Sequence, residues 1–274
     1  GGESGVAASS KRYWDAYLHT KDGSRVHKDQ FGPDVCTDHL VKFIHANKDK
    51  PFFAHYPMIL THGPLETPPT ADGKRQDPIG RRDRLMKSSN VAYMDALIGR
   101  VVKALDETGV RKNTILIWTT DNGPRKGSTS EQGVCQPCVV NGPGLVPSGV
   151  VSDALVDITD IFPTFVELAG GSMPTEKPVD GKSCAPLLLG KSKDSSRTWM
   201  MAMGGGACKR ARAASGESVP GFNVTAYRDR IIRSKTHKLY IDRDQKPATF
   251  VRMTEMGGES KNLMPVTRAD DWAE

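Results

Sequence analysis

No apolar run in the 274-residue chain approaches the roughly 20 residues that a membrane-crossing helix needs, so no transmembrane helix is expected. No segment repeats at a fixed period, which excludes solenoids and propellers. Aromatic residues make up only 7% of the chain, and they do not interleave with its basic clusters as a nucleic-acid-binding module requires. Cysteines are few, five in all, and the odd count excludes a framework that pairs every one. Only Cys135-Gln136-Pro137-Cys138 has metal or redox spacing. With no second CxxC and no ligand-spaced histidine pair behind it, it reads as two small side chains at the start of an apolar strand. The N-terminal stretch GGESGVAASSKRYW has neither an initiator Met nor the apolar core of a signal peptide, and it reads as the middle of a longer chain.

What is present is the composition of a globular protein. Hydrophobic residues make up 37% and charged residues 26%, enough to bury a core and too balanced for extended disorder. The formal charge of +6 comes from 38 basic and 32 acidic residues. Two small basic clusters, Arg81-Arg82-Asp83-Arg84 and Lys209-Arg210-Ala211-Arg212, read as solvated faces, although a mildly positive site for an anionic substrate fits the balance equally well. Asn223-Val224-Thr225 matches the glycosylation sequon, a tripeptide common by chance.

The first thirty residues are polar and glycine-containing, with no sustained period. Val35, Leu40, Phe43 and Ile44 predict a helix over 35–46, broken by Lys48-Asp49-Lys50-Pro51. PFFAHYPMIL, residues 51–60, reads as a largely buried strand running into Thr61-His62-Gly63-Pro64. From Arg84 to Glu107 the residues Val91, Met94, Leu97, Ile98, Val101, Val102 and Leu105 form one apolar stripe, with Gly109 placed for a C-cap. Residues 113–120 form the next strand, so strand, helix and strand follow as a βαβ unit whose strands are expected to be parallel. QPCVVNGPGLVPSG reads as a short strand followed by a proline- and glycine-rich loop, and a helix over 157–169 capped by Thr159 or Asp160 and a polar linker near 191–196 come after it. TWMMAM, YRDRIIRS, HKLYIDRD and ATFVRM predict a small antiparallel sheet, with a loop GGGACKRARAASGESVPG inside it. The expected division is 1–195 for the α/β part and 196–274 for the C-terminal subdomain.

The chemistry concentrates where ILIWTT runs into Asp121-Asn122-Gly123. Asn-Gly is a strong turn dipeptide, so a plain turn is one reading. Asp and Asn also offer hard oxygen ligands suited to Ca²⁺ or Mg²⁺, so half of a cation site is another. In open α/β sheets ligands gather at the carboxyl ends of strands. A parallel arrangement would bring His62 to the same sheet edge as Asp121 and Asn122, with Lys126 in reach. His62 by itself reads equally as an ordinary hydrogen-bonded loop residue.

In chain order, PFFAHYPMILTHGP, YMDALIGRVVKALDETGVRKNTILIWTTDNG, KGSTSEQGV, NGPGLVPSGVVSDALVDITDIFPTFVELAG, DGKSCAPLLLGK and RIIRSKTHKLYID resemble one family. It is the sulfatases of the alkaline-phosphatase-like superfamily, particularly the bacterial arylsulfatase A-like group. The resemblance covers most of the chain from Pro51 to Asp242. It implies an α/β fold with an alkaline-phosphatase-like mixed or parallel sheet flanked by helices, incomplete here, and a small C-terminal antiparallel-sheet subdomain. It implies that Asp121 and Asn122 are ligands of a divalent cation, Ca²⁺ or another such as Mg²⁺. It makes His62 the histidine that contacts the sulfate ester and assists the leaving oxygen, and Lys126 the lysine that binds sulfate oxygens. The loop from Asn122 to Lys126 is shorter than is usual in the family.

Sulfatases attack with a formylglycine made from Cys or Ser in a Cys/Ser-x-Pro/Ala-x-Arg motif, and no such motif occurs in the chain. Cys184-Ala185-Pro186-Leu187 lacks the arginine, and Cys208-Lys209-Arg210 lacks the proline or alanine. The motif, with further metal ligands, is expected in a missing N-terminal part, and the isolated chain is expected to show little or no turnover. The resemblance thus implies a sulfuric-ester hydrolase acting on a sulfated small molecule or glycan, with no nucleic-acid or membrane partner. By the same resemblance the protein is periplasmic or secreted. A phosphodiesterase or phosphonate hydrolase of the same superfamily, or an inactive remnant acting as a binding module, are the alternatives.

Overall fold

The structure, a computed structural model, describes residues 11–76, 83–125, 127–204, 230–242, 245–254, 258–259 and 263. Lys126, Cys208, Arg81 and Arg82, the cluster at Lys209–Arg212, most of the loop predicted between the C-terminal strands, and the sequon at Asn223 lie outside the described residues. The chain divides into two compact units, Gly1–Thr114 and Ile115–Glu274.

The first unit is built on aromatic residues from a stretch without sequence periodicity. Tyr13, Trp14 and Phe31 are buried with Leu60 and Leu97. Phe31 stacks on Tyr13 with ring centroids 5.6 Å apart and meets Tyr93 edge-on at 5.5 Å, the offset and edge geometries that the aromatic quadrupole favours. Between these aromatics, β1 (Tyr17–Thr20) and β2 (Gly23–Val26) form an antiparallel hairpin with Thr20 opposite Gly23. Gly23 takes φ +107°, a value glycine carries without steric penalty. Residues 13–31 are thus structured although the first thirty residues show no sustained period. Two-residue hairpins and isolated aromatics leave no helical or long alternating period to read.

Helix α1 (Gly32–Asn47) starts with a proline in its first turn and turns Ile44 inward. Helix α2 (Asp83–Glu107) buries Leu97, Val101 and Leu105 of the predicted stripe together with Ala104, and Val101, Ala104 and Leu105 pack with Ile44. Burying a side chain of this kind contributes about 1.5–3 kcal/mol. Val91, at the start of the stripe, is exposed. Gly109 takes φ +74° just past the helix end, the left-handed C-terminal position expected of it. Arg100 on α2 pairs with Asp34 and Asp38 on α1, and the Tyr93 hydroxyl donates to Asp34 at 2.7 Å.

Residues 51–60 form no strand ladder among the described residues, and most of them are exposed or half-buried, with only Leu60 fully buried. The expected buried parallel strand is therefore corrected. Its apolar content is spent instead on α1 and on the aromatic cluster, through Phe52, Met58, Ile59 and Leu60, and Pro57 removes a ladder donor from its middle.

In the second unit, β3 (Leu116–Thr119) pairs antiparallel with β4 (Cys138–Asn141). The short helix α3 (Glu131–Val134) lies in the connection between them. The helix expected at 157–169 is present as a 3-10 turn, Ile158–Asp160, leading into α4 (Ile161–Leu168). Its cap is Asp157, whose carboxylate accepts from Thr159 N at 2.9 Å while Asp160 accepts from Asp157 N at 2.8 Å. The 3-10 turn moves the start earlier than the helical period suggests, which displaces the predicted cap from Thr159 or Asp160. After α5 (Ala185–Leu188) comes a four-stranded antiparallel sheet in chain order, β5 (Met200–Met203), β6 (Arg230–Arg233), β7 (His237–Ile241) and β8 (Pro247–Arg252). These are the four predicted C-terminal strands.

Candidate functional site

Strand β3 ends at Thr119, and the chain then turns through Asp121, Asn122 and Gly123. Gly123 N donates to the Gly133 carbonyl at 3.2 Å, and Arg125 N donates to the Gln132 carbonyl at 3.1 Å. These bonds sew the turn onto α3. The Thr120 hydroxyl donates to Gln136 Oε1 at 2.7 Å, and Gln136 Nε2 donates to the Gly133 carbonyl at 3.1 Å, closing the loop at its base. Two glycines make this contact possible. A Cβ on Gly123 would lie 2.1 Å from the Gln132 carbonyl oxygen, and one on Gly133 would lie 2.1 Å from that of Ser128.

The framework leaves Asp121 exposed and Asn122 half-buried, and neither side chain hydrogen-bonds another described residue. A carboxylate and an amide oxygen without partners among the described residues are the right donors for a hard cation. They are too few by themselves, because Ca²⁺ takes six to eight oxygens and Mg²⁺ six. Among the described residues no group of three His, Cys, Asp or Glu side chains gathers to hold a metal. The pair therefore fits a part of a cation site.

α3 is held from its other side by the C-terminal sheet. Lys238 on β7 has a side chain with no solvent exposure, and its Nζ donates to Glu131 at 3.0 Å and to Glu259 at 2.9 Å. Arg233 on β6 stands 3.6 Å from Glu131, an ion pair beyond hydrogen-bond length. The Tyr240 hydroxyl donates to Glu259 at 2.5 Å, and its ring lies 4.8 Å beneath the ammonium. Burial opposes the Lys238 charge, but the bonds to Tyr240, Glu259 and Glu131 outweigh it and hold the ammonium's pKa above its ordinary value.

His62 belongs to the first unit. The Tyr13 hydroxyl donates to the His62 carbonyl at 2.7 Å, and Trp14 Nε1 donates to the Thr67 carbonyl at 2.9 Å, so two buried aromatics fix the loop. The ring itself is exposed. Its Nδ1 lies 2.6 Å from the Gly63 carbonyl and 3.2 Å from Arg12 Nη1. The first contact needs a proton on Nδ1 and the second a lone pair there, so the tautomer of the ring decides which is made. Burial pushes the Tyr13 phenol up to about 12, against the lowering by Arg12.

Asp121 and Asn122 thus share one loop of the second unit, His62 stands on a loop of the first, and Lys126 lies outside the described residues. Arg12, Tyr13, Glu131 and Lys238 escape sequence reasoning. The aromatic pair Tyr13-Trp14 was the available signal for the first two, whereas the ion pair from Glu131 to Lys238 joins residues 107 apart and leaves no local pattern. Cys36, Cys135, Cys138 and Cys184 are free thiols, and Cys138 begins β4 as expected. A surface cavity of about 650 Å³ lies beside α4, lined by Pro163, Val166, Met173 and Val179 among others, and neither Asp121 nor Asn122 borders it.

The sequence profile of the Sulfatase family matches residues 12–172. Arylsulfatase D of Homo sapiens is 30% identical over 181 residues, 58% of this chain and 29% of that protein. Arylsulfatase G of Mus musculus is 31% identical over 185 residues, 57% of this chain and 34% of that protein. The matches thus span about a third of the length of these curated relatives. Among solved structures, Ps i-CgsB in complex with k-i-k-neocarrahexaose superposes with a TM-score of 0.65 at 23% identity, covering 84% of this chain and 50% of that one. BT4656, solved with its substrate D-glucosamine-2-N,6-O-disulfate, gives 0.57 at 15% identity, covering 88% and 66%. Likeness to these solved structures gives the chain the alkaline-phosphatase-like α/β fold, here mixed helix and sheet with small antiparallel sheets among the described residues. The chain belongs to the sulfatase family. Members of this family generally use a divalent cation. No helix among the described residues is long and apolar enough to cross a membrane.

Proposed function

We propose that this chain is the later part of a sulfuric-ester hydrolase of arylsulfatase type, which releases sulfate from a sulfated small molecule or glycan. The observation that carries the reading is the Asp121-Asn122 pair at the end of β3, whose side chains hydrogen-bond no other described residue, in a chain whose residues 12–172 match the family. In this reading residues 1–195 belong to the catalytic α/β domain and 196–274 to a C-terminal subdomain built on β5–β8.

Asp121 and Asn122 hold part of a Ca²⁺ site, or that of another divalent cation such as Mg²⁺. The bound cation would supply positive charge to the sulfuryl oxygens. Lys126 adds a second positive charge there, which stabilises the same oxygens as the ester bond breaks. His62 handles the proton. When the ring carries both protons, Nδ1–H donates to the Gly63 carbonyl and Nε2–H is left to protonate the leaving oxygen. Arg12 favours the alternative, in which Nδ1 accepts and the single proton again resides on Nε2. The formylglycine motif is absent from the 274 residues, so the isolated chain has little or no turnover. A periplasmic or secreted location, without nucleic-acid or membrane partners, goes with the family reading. Support for a sulfated substrate comes from BT4656, whose substrate is a disulfated glucosamine.

The test is sulfate release from an aryl sulfate by the protein expressed from its whole reading frame, compared with phosphate release from an aryl phosphodiester. Preferential sulfate release, lost in Asp121→Ala, is expected. Preferential cleavage of the phosphodiester would sink the sulfatase reading.

A further inference from the structure

The Asp121-Asn122 turn is not tied down by its own two side chains, which hydrogen-bond no other described residue. Its backbone is held through Gly123 and Arg125 to the carbonyls of Gly133 and Gln132, and those carbonyls belong to a helix only four residues long. One turn of helix is not stable by itself, so something else must hold α3. Glu131, its first residue, is bonded by the fully buried Lys238 on β7 and flanked by Arg233 on β6. Lys238 is in turn balanced by Glu259, which Tyr240 also engages. Two carboxylates thus face two cations, and the group is neutral as a whole. A buried ammonium with two anionic partners marks one position for α3 against the sheet, since any displacement leaves an unpaired charge behind.

We propose that Lys238 is a positioning residue: through Glu131 it docks the α3 loop on the C-terminal sheet and so fixes where Asp121 and Asn122 stand. This rests on the proposed cation role of that pair for its functional meaning, and on geometry alone for the docking. It gives the C-terminal sheet a task in the site without any residue of the sheet touching substrate.

Amide hydrogen exchange of the full chain, wild type against Lys238→Met, reads the docking directly. Exchange of residues 120–135 is expected to speed up about tenfold or more, while the amides of α4 stay within about twofold. Unchanged exchange at 120–135 would overturn the proposal, as would a uniform increase throughout the chain, which is the mark of a merely structural role. If Lys238→Met does not fold, Glu131→Gln is measured instead. It leaves Lys238 paired with Glu259 and removes the anion on α3; the same local loosening is expected, and its absence overturns the proposal equally. Terbium luminescence of the protein expressed from its whole reading frame, which would supply the remaining ligands, separates the two layers. Loosening of 120–135 without any terbium binding would refute the cation reading and leave the docking intact.

Discussion

Gly123 approaches Gln132 so closely that a Cβ on the glycine would lie 2.1 Å from the Gln132 carbonyl oxygen. Backbone rather than a flexible side chain is on the receiving side, so neither partner can give way cheaply. Gly123→Ala is therefore expected to push the turn off α3 and to destabilise the protein by about 1–3 kcal/mol. Urea unfolding monitored by tryptophan fluorescence measures it. An alanine variant as stable as the parent would show that the contact is not needed.

That relationship also shows what was legible beforehand. Asp121-Asn122-Gly123 is recognisable because turn chemistry and ligand chemistry share a local motif, and the α2 stripe is recognisable because one helix face carries one period. Four C-terminal strands were readable from short β-branched and aromatic runs between turn residues. The failures are of two kinds. PFFAHYPMIL has a strand's composition, but a strand needs a partner ladder, which no local composition records. Tyr13 and Phe31 bury themselves from a stretch with no period, and Lys238 is a lysine in a strand that any pattern would place at the surface. Its burial follows only from meeting Glu131 and Glu259, far away in sequence.

Asp160 sets an acid limit on stability. Its side chain is 1% exposed and receives Arg197 Nε at 2.9 Å, Lys182 N at 2.7 Å and Asp157 N at 2.8 Å. Burial alone would raise its pKa, but the bonds from Arg197 and from the two backbone amides lower it below the ordinary value. A depressed carboxyl contributes stability above its unfolded pKa of about 3.9, and loses it as pH falls through the lower folded value. Asp160→Asn is expected to cost about 3–5 kcal/mol at neutral pH, because it leaves Arg197 unpaired. It should also flatten the fall in stability below about pH 4. Denaturant midpoints collected from pH 7 downwards decide this, and parallel curves for parent and variant would refute it.

Tyr13 and Tyr56 set the opposite limit. Burial raises both phenols to about 12. A group whose folded pKa exceeds its unfolded value, about 10 here, contributes stability that is fully present below the unfolded pKa and lost as pH rises through the folded one. The first unit is expected to hold to about pH 10 and to open near 12, with phenolate absorbance and loss of tertiary circular dichroism rising together. Tyr13→Phe removes the bond to the His62 carbonyl. It should cost about 1 kcal/mol at neutral pH and move the alkaline transition. Tyrosines that ionise near pH 10 with the fold intact would contradict this.

In the proposed site, cation binding and proton transfer fall on different residues, and two substitutions should separate them. Asp121 and Asn122 are the proposed cation ligands, whereas the His62 ring is anchored to Gly63 and Arg12 on a loop held by Tyr13. Asp121→Ala is expected to weaken terbium binding about tenfold or more, since cation affinity follows ligand number and charge. His62→Ala should leave terbium affinity unchanged. In the protein expressed from the whole reading frame the same His62→Ala change should lower aryl sulfate turnover by about 10²–10⁴-fold, the usual contribution of a positioned acid or base. The loss should be smaller for esters whose leaving phenol is already a good one, because such a leaving group needs no proton. A loss that ignores the leaving group would remove His62 from proton transfer and leave it a binding residue.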